Sequence, residues 1–343
     1  MRAAVVRGPG KLEVARLPVP EPGPGEARVR VEACGICGSD LSLFANGFFA
    51  PGQTPGHEAA GRVDALGEGV SGPASGTRVA VEPMRSCGAC ACCRSGRYSI
   101  CSEARMAGVH DPGGLAEYAI VPAARLHPVP AGLAPPLAAL AEPTAVVVHA
   151  LRRVALAPGQ RVLVLGAGSV GLLAAAAARR LGAGEVWISA RHPHQAELAR
   201  SLGVARVLAE ADASAERLDV LGREAPIDLV VETVGGAADT LRAAAAAVRA
   251  GGAVSVVGVF WGALALDPMP LLLKEVTLAW SYCYGADRGH ARSDFAEALD
   301  LLGAERGALA PLVTHAIPLD DVARAFAVAG EKSAGAVKVS VTP

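Results

Sequence analysis

An excess of either charge is missing from this chain. Lysine and arginine total 32 against 33 aspartates and glutamates, the formal net charge is −1, and no run of like charges stands out. That excludes the electrostatic footprint of a nucleic-acid binder and a polybasic membrane patch, so the expected partner is a small molecule, with no nucleic acid and no membrane. Long apolar runs are missing as well. The alanine-rich stretches meet Arg, Glu or Gly before reaching the roughly 18 residues of a membrane span. The opening MRAAVVRGPGKLEV turns polar within eight residues and does not read as a secretion signal. Lysine is rare, four residues against 28 arginines, a bias of GC-rich coding that carries no chemistry. Cysteine is present but not as a disulfide framework, since five of the eight crowd into residues 87–101. Metal thiolates in a reducing cytoplasm fit that distribution better.

With 343 residues, 52% of them hydrophobic, the chain exceeds one compact core and two domains are expected. The first third is made of short β-like runs punctuated by proline and glycine: MRAAVV, EARVRVEA, GRVDAL, TRVAVEP and AEYAIV. From about residue 140 apolar strands alternate with alanine-rich helical stretches, the texture of repeated βα units and a parallel, doubly wound sheet. The tail adds two helical segments and a terminal strand, AVKVSV. The fold class is therefore α/β: a mostly-β domain over residues 1–140, to which 283–343 returns, and a Rossmann-type dinucleotide-binding domain over 141–282.

RVLVLGAGSVG at 161–171 sets Gly166, Gly168 and Gly171 as G-x-G-x-x-G between an apolar strand and an amphipathic helix. The first glycine serves a tight turn, the second lets backbone approach a pyrophosphate, and the third lets helix and sheet pack closely. Ser169 and Val170 lie at the helix start, where free amides face phosphates. Such folds carry an acid for the ribose hydroxyls about 20 residues onward. Here the second strand ends WISARHPH, without an acid, and Arg191 stands beside His192 and His194. A 2′-phosphate would meet positive charge, so NADP is expected over NAD. The competing role for Arg191, a surface residue stacking on adenine, would serve either cofactor.

CGACACCRSGRYSIC supplies Cys87, Cys90, Cys93 and Cys101 in a C-x2-C-x2-C-x7-C spacing, with Cys92 out of phase. Four thiolates close a tetrahedral shell around structural Zn²⁺. An iron–sulfur cluster is the rival, and nothing else in the chain suggests electron transfer. A further CGICGSD at 34–40 precedes PGHEAAG at 55–61. One thiolate and one imidazole suit Zn²⁺, and a redox C-x-x-C pair would normally open a helix in a thioredoxin-like fold.

Taken together, CGICGSD, GHEAAGRVDALGEGV, the four-cysteine loop, AEPTAVVVHALRR and GAGSVG resemble the zinc-dependent medium-chain alcohol dehydrogenases, in their sorbitol and polyol branch, over essentially the whole chain. The resemblance implies a GroES-like catalytic domain and a catalytic zinc held by Cys37 and His57, with Cys34 a spectator. It implies Glu142 as third ligand, Glu58 as an alternate or neighbouring carboxylate, and Ser39 as the hydroxyl that passes the substrate proton outward. Ser42 stands near the place where relatives often carry a relay histidine. Phe260, Trp261 and Tyr282 are expected to border the substrate. The implied activity is hydride transfer between NADP(H) and a secondary alcohol, whether polyol, sugar alcohol or cyclitol, in a homodimer or homotetramer. The alternatives are a primary, aromatic or threonine-type alcohol dehydrogenase, and a non-catalytic cofactor-binding scaffold.

Overall fold

The computed structural model describes residues 1–286 and 292–343, which cluster into two compact units, Met1–Glu142 with Gly285–Pro343, and Pro143–Tyr284. The first unit begins with a hairpin of β1 (Arg2–Gly8) and β2 (Lys11–Arg16). It continues with β3 (Glu26–Gly35), β4 (Glu58–Leu66), β5 (Arg78–Val81), the short β6 (Met84–Arg85) and β7 (Arg105–Met106), β8 (Tyr118–Pro122) and β9 (Leu126–Pro128). The second unit holds β10 (Arg161–Leu165), β11 (Glu185–Ala190), β12 (Arg206–Ala209), β13 (Ile227–Glu232), β14 (Val248–Val256) and β15 (Thr277–Trp280). After it, β16 (Val313–Pro318) and β17 (Lys338–Thr342) rejoin the first unit.

The seven-stranded sheet of the first unit runs β16-β17-β3-β4-β5-β9, with β8 also pairing β3. Alternation along β3, EARVRVEACG, buries Ala27, Val29 and Val31 on one face, where they meet Val63, Val79, Val121, Val339 and Val341. The six strands of the second unit are all parallel, in the order β12-β11-β10-β13-β14-β15. This is the doubly wound order, whose strand sequence reverses beside β10. β10 (RVLVL) and β13 (IDLVVE) are buried on both faces, which explains their continuous apolar runs. The helix Ser169–Arg180 lays eight consecutive buried residues, five of them alanine, against this sheet, and Arg179 and Arg180 close its last turn. Small side chains allow close approach, and two cations offset the partial negative charge of the helix end. Among the described residues no helix is long and apolar enough to cross a membrane.

Candidate active site and metal centres

Leaving β3, the chain passes through Cys37 in an extended conformation and enters the helix Gly38–Ala45. The Cys37 amide donates to Asp40 Oδ2 at 2.9 Å, so Asp40 rather than Ser39 caps the turn. Ser39 is half-buried at the second position of that helix. The other oxygen of Asp40 lies 3.2 Å from His57 Nδ1, both side chains being buried. The angle there is too poor for a hydrogen bond, and both atoms otherwise lack one, so the contact is chiefly electrostatic. Nδ1 turned to a carboxylate leaves Nε2 for a cation. Ligand atoms of Cys37, His57 and Glu58 all stand within 4.8 Å of one another. Burial opposes charge on His57, yet Asp40 and a Cys37 thiolate outweigh it and hold the imidazole well above its usual pKa. A thiol, an imidazole and a carboxylate within 4.8 Å of one another fit a divalent ion such as Zn²⁺.

Glu58 is fully buried and paired to Lys338, whose Nζ lies 2.7 Å from Oε1 and 2.6 Å from Oε2. Burial pulls the lysine pKa down, but Glu58 first, and Cys37 and Glu142 after it, raise it above the ordinary value. Glu142 itself is buried in the first turn of the helix Ala141–Arg153. Cys34 is completely buried, and burial raises its thiol pKa, which suits a spectator.

The second cluster is Cys87, Cys90, Cys93 and Cys101, again with sulfurs within 4.8 Å of one another. Sγ separations are 3.8 Å for Cys87–Cys93, 3.5 Å for Cys90–Cys93 and 3.5 Å for Cys101–Cys87. Tetrahedral Zn–S bonds of about 2.3 Å require an edge of about 3.8 Å, so the four sulfurs fit zinc with little adjustment. Amides of Ala89 and Cys90 point at Cys87 and lower its pKa to about 7, favouring the thiolate that a metal needs. Cys92 lies outside the group. This lobe is fastened to the sheet by a partly buried polar cluster. Arg125 lies 3.7 Å over the Tyr98 ring, while Glu82, 2% exposed, binds Arg125 Nη1 at 2.9 Å and His127 Nε2 at 2.8 Å.

In the second unit, Gly166 has φ +98° and its amide donates to Ser189 Oγ at 2.9 Å. A Cβ on Gly171 would fall on the Gly166 carbonyl oxygen, whereas one on Gly168 would meet open space. The first and third glycines thus serve the protein's own turn and packing. The second keeps the space before the helix clear, with Ser169 and Val170 opening that helix. At the tip of β11, Arg191 turns its guanidinium to Glu210, with Nε 2.7 Å from Oε1. Trp261 and Tyr282 are 45% and 54% exposed, and Phe260 meets Trp280 edge-on.

Two family models match the chain: the alcohol dehydrogenase GroES-like domain over residues 23–131 and zinc-binding dehydrogenase over residues 169–304. An L-galactonate-5-dehydrogenase of Escherichia coli K12 is 32% identical over 332 residues, 95% of this chain and 94% of that protein. The chain belongs to the zinc-dependent medium-chain alcohol dehydrogenases. Among solved structures, E. coli galactitol-1-phosphate dehydrogenase matches this dehydrogenase with a TM-score of 0.90 at 30% identity, covering 100% of both chains. A zinc-binding dehydrogenase of Sinorhizobium meliloti 1021 bound to NADP matches it with a TM-score of 0.86 at 31% identity, over 100% of this chain and 99% of that one. Four residues of the dehydrogenase's sites carry no sequence signal of their own: Asp40 behind His57, Lys338 on Glu58, Glu82 under the cysteine lobe, and Glu210 on Arg191.

Proposed function

We propose that this dehydrogenase transfers a hydride between NADP(H) and a secondary alcohol of the polyol, sugar-alcohol or cyclitol class. The observation that carries the reading is the approach of the Cys37 thiol and the His57 imidazole to within 4.8 Å, with the Glu58 carboxylate beside them and buried Asp40 behind the ring. Zinc held by Cys37 and His57, with Glu142 as third protein ligand, supplies Lewis acidity toward an alcohol oxygen when bound. Asp40 fixes the ring orientation of His57, and Ser39 takes the hydroxyl proton toward solvent. Gly166, Gly168 and Gly171, with the amides of Ser169 and Val170, seat the pyrophosphate, and Arg191 faces the 2′-phosphate. Eight cysteines without a disulfide suit a reducing cytoplasm.

Polyols and simple secondary alcohols assayed with both cofactors test this directly. The expected result is turnover with a sugar alcohol and a higher kcat/KM for NADP⁺ than for NAD⁺. Turnover confined to threonine or to primary and aromatic alcohols overturns the substrate class, and no turnover at all leaves the scaffold reading. Arg191→Ala removes a charge-assisted contact of about 1.5–3 kcal/mol, so NADP⁺ efficiency should fall about 10- to 100-fold with NAD⁺ little changed. Glu210 competes for the same guanidinium, and Glu210→Gln should move the ratio further toward NADP⁺. Ser39→Ala should lower kcat roughly 10²-fold or more, as loss of a positioned proton acceptor does. Unchanged turnover removes Ser39 from the relay.

A further inference from the structure

Glu232 is the last residue of β13, fully buried, and belongs to neither metal cluster. Three donors converge on its Oε1: the amides of Val234 at 2.8 Å and Gly235 at 2.9 Å, and the Thr240 hydroxyl at 2.8 Å. Its backbone carbonyl accepts the amides of Val257 at 2.9 Å and Gly258 at 3.1 Å, just past the end of β14. The Gly236 amide donates to the Val259 carbonyl at 2.8 Å. A Cβ at Gly258 would stand 2.3 Å from Glu232 Oε2, so glycine there makes room for the acid. One glutamate therefore ties the loop after β13 to the loop after β14. The first of these loops also grips the glycine turn after β10, since Thr233 Oγ1 donates to the Leu165 carbonyl at 2.8 Å.

Stability alone does not account for an acid at this position. Its Oε2 is buried without a hydrogen-bond partner among the described residues. Buried polar atoms normally find partners, and an oxygen left unmet is a local cost of the kind functional sites bear. In a doubly wound sheet the ligand lies outside the carboxyl ends of the strands where their order reverses, and each half of the sheet takes one mononucleotide. Here the order reverses beside β10. Arg191, at the tip of β11, stands on the adenosine side, which leaves the ends of β13 and β14 for the nicotinamide half. There Val234 and Val259 are 47% and 53% exposed, an apolar surface open to a ligand. We infer that Glu232 is a positioning residue for the nicotinamide half of the cofactor. Its carboxylate and carbonyl set the backbone of Val234, Gly235, Gly258 and Val259 as one ledge before the dinucleotide arrives, so that little ordering remains to be done on binding. This assignment rests on the reading of the unit as a dinucleotide site, and adds to it the residue that shapes its second half.

The test is calorimetric binding to the full-length protein. Whichever of NADP⁺ and NAD⁺ binds the wild type more tightly is titrated beside its own adenosine half, adenosine 2′,5′-bisphosphate or AMP. Glu232→Met keeps the volume and removes the acceptor, so dinucleotide affinity should fall about tenfold while affinity for the half-molecule stays within about twofold. Thr240→Val removes one of the three donors and should move the same ratio several-fold. Glu232→Gln keeps an accepting oxygen and should hold both affinities near wild-type values. A general loss of structure would weaken dinucleotide and half-molecule together, and that result overturns the inference, as does an unchanged ratio in Glu232→Met. Should Glu232→Met fail to fold, Thr240→Val decides, and a wild-type ratio there counts against the inference. The measurement involves neither turnover nor metal. Inactivity toward every polyol would defeat the proposed function and leave the role of Glu232 intact.

Discussion

Cys37→Ser should yield folded protein with one zinc per chain instead of two and almost no alcohol-dependent reduction of cofactor. The argument starts from charge. Cys37 is half-buried, and its sulfur sits beside His57 and Glu58. Replacing thiolate by a neutral hydroxyl removes the softest ligand and one of the charges that favour a cation there. Lewis-acid stabilisation is worth several kcal/mol of barrier, and each 1.36 kcal/mol is tenfold, so turnover should fall by about three orders of magnitude or more. Fold and cofactor binding should survive, because Gly166, Gly168 and Gly171 lie in a separate compact unit. Elemental analysis, circular dichroism and cofactor titration check the three parts independently. Undiminished turnover in Cys37→Ser, or in chelated protein, removes the metal from the reaction.

Cys90→Ser should lose the other zinc and behave differently. Cys90 Sγ accepts the Cys93 amide at 3.4 Å and neighbours the Cys93 sulfur, so it belongs to the turn as well as to the shell. Structural zinc binding is folding energy, and without it the segment 87–101 has few buried side chains to hold it. Tyr98 and Cys101 are its main buried members. The expected outcome is a melting temperature lower by about 10 °C or more, on the usual 2–4 °C per kcal/mol for a domain of this size. Trypsin should then cut after Arg94 and Arg97, while residual activity persists at low temperature. A variant that keeps two zinc ions and the wild-type melting point contradicts the four-thiolate centre.

The fold and the four-cysteine cluster are legible in the sequence because their signals are local. Four cysteines in one loop, a glycine triplet between strand and helix, and alternating βα texture need no knowledge of distant residues. What stays hidden depends on register. Lys338 lies 280 residues beyond Glu58 and meets it only because β17 pairs with β3 and β3 pairs with β4. As a bare sequence feature it is one lysine in an apolar terminal strand. Asp40 reads as a turn residue after Ser39, and its second role, facing His57, appears once the helix Gly38–Ala45 sets its direction. Glu210 lies 19 residues beyond Arg191 and reaches it through the parallel pairing of β11 and β12. The sequence pattern sees the missing acid at the tip of β11 but not the one supplied next door.

The insertion of β17 between β16 and β3 bears on how the protein is made. Ribosomes deliver every strand of the cofactor unit, β10 to β15, before they deliver β17, the last of the three strands that pair with β3. A nascent chain at that stage has every strand of the nucleotide unit but a first-unit sheet that still lacks β16 and β17, and an uncovered sheet edge is open to wrong pairing.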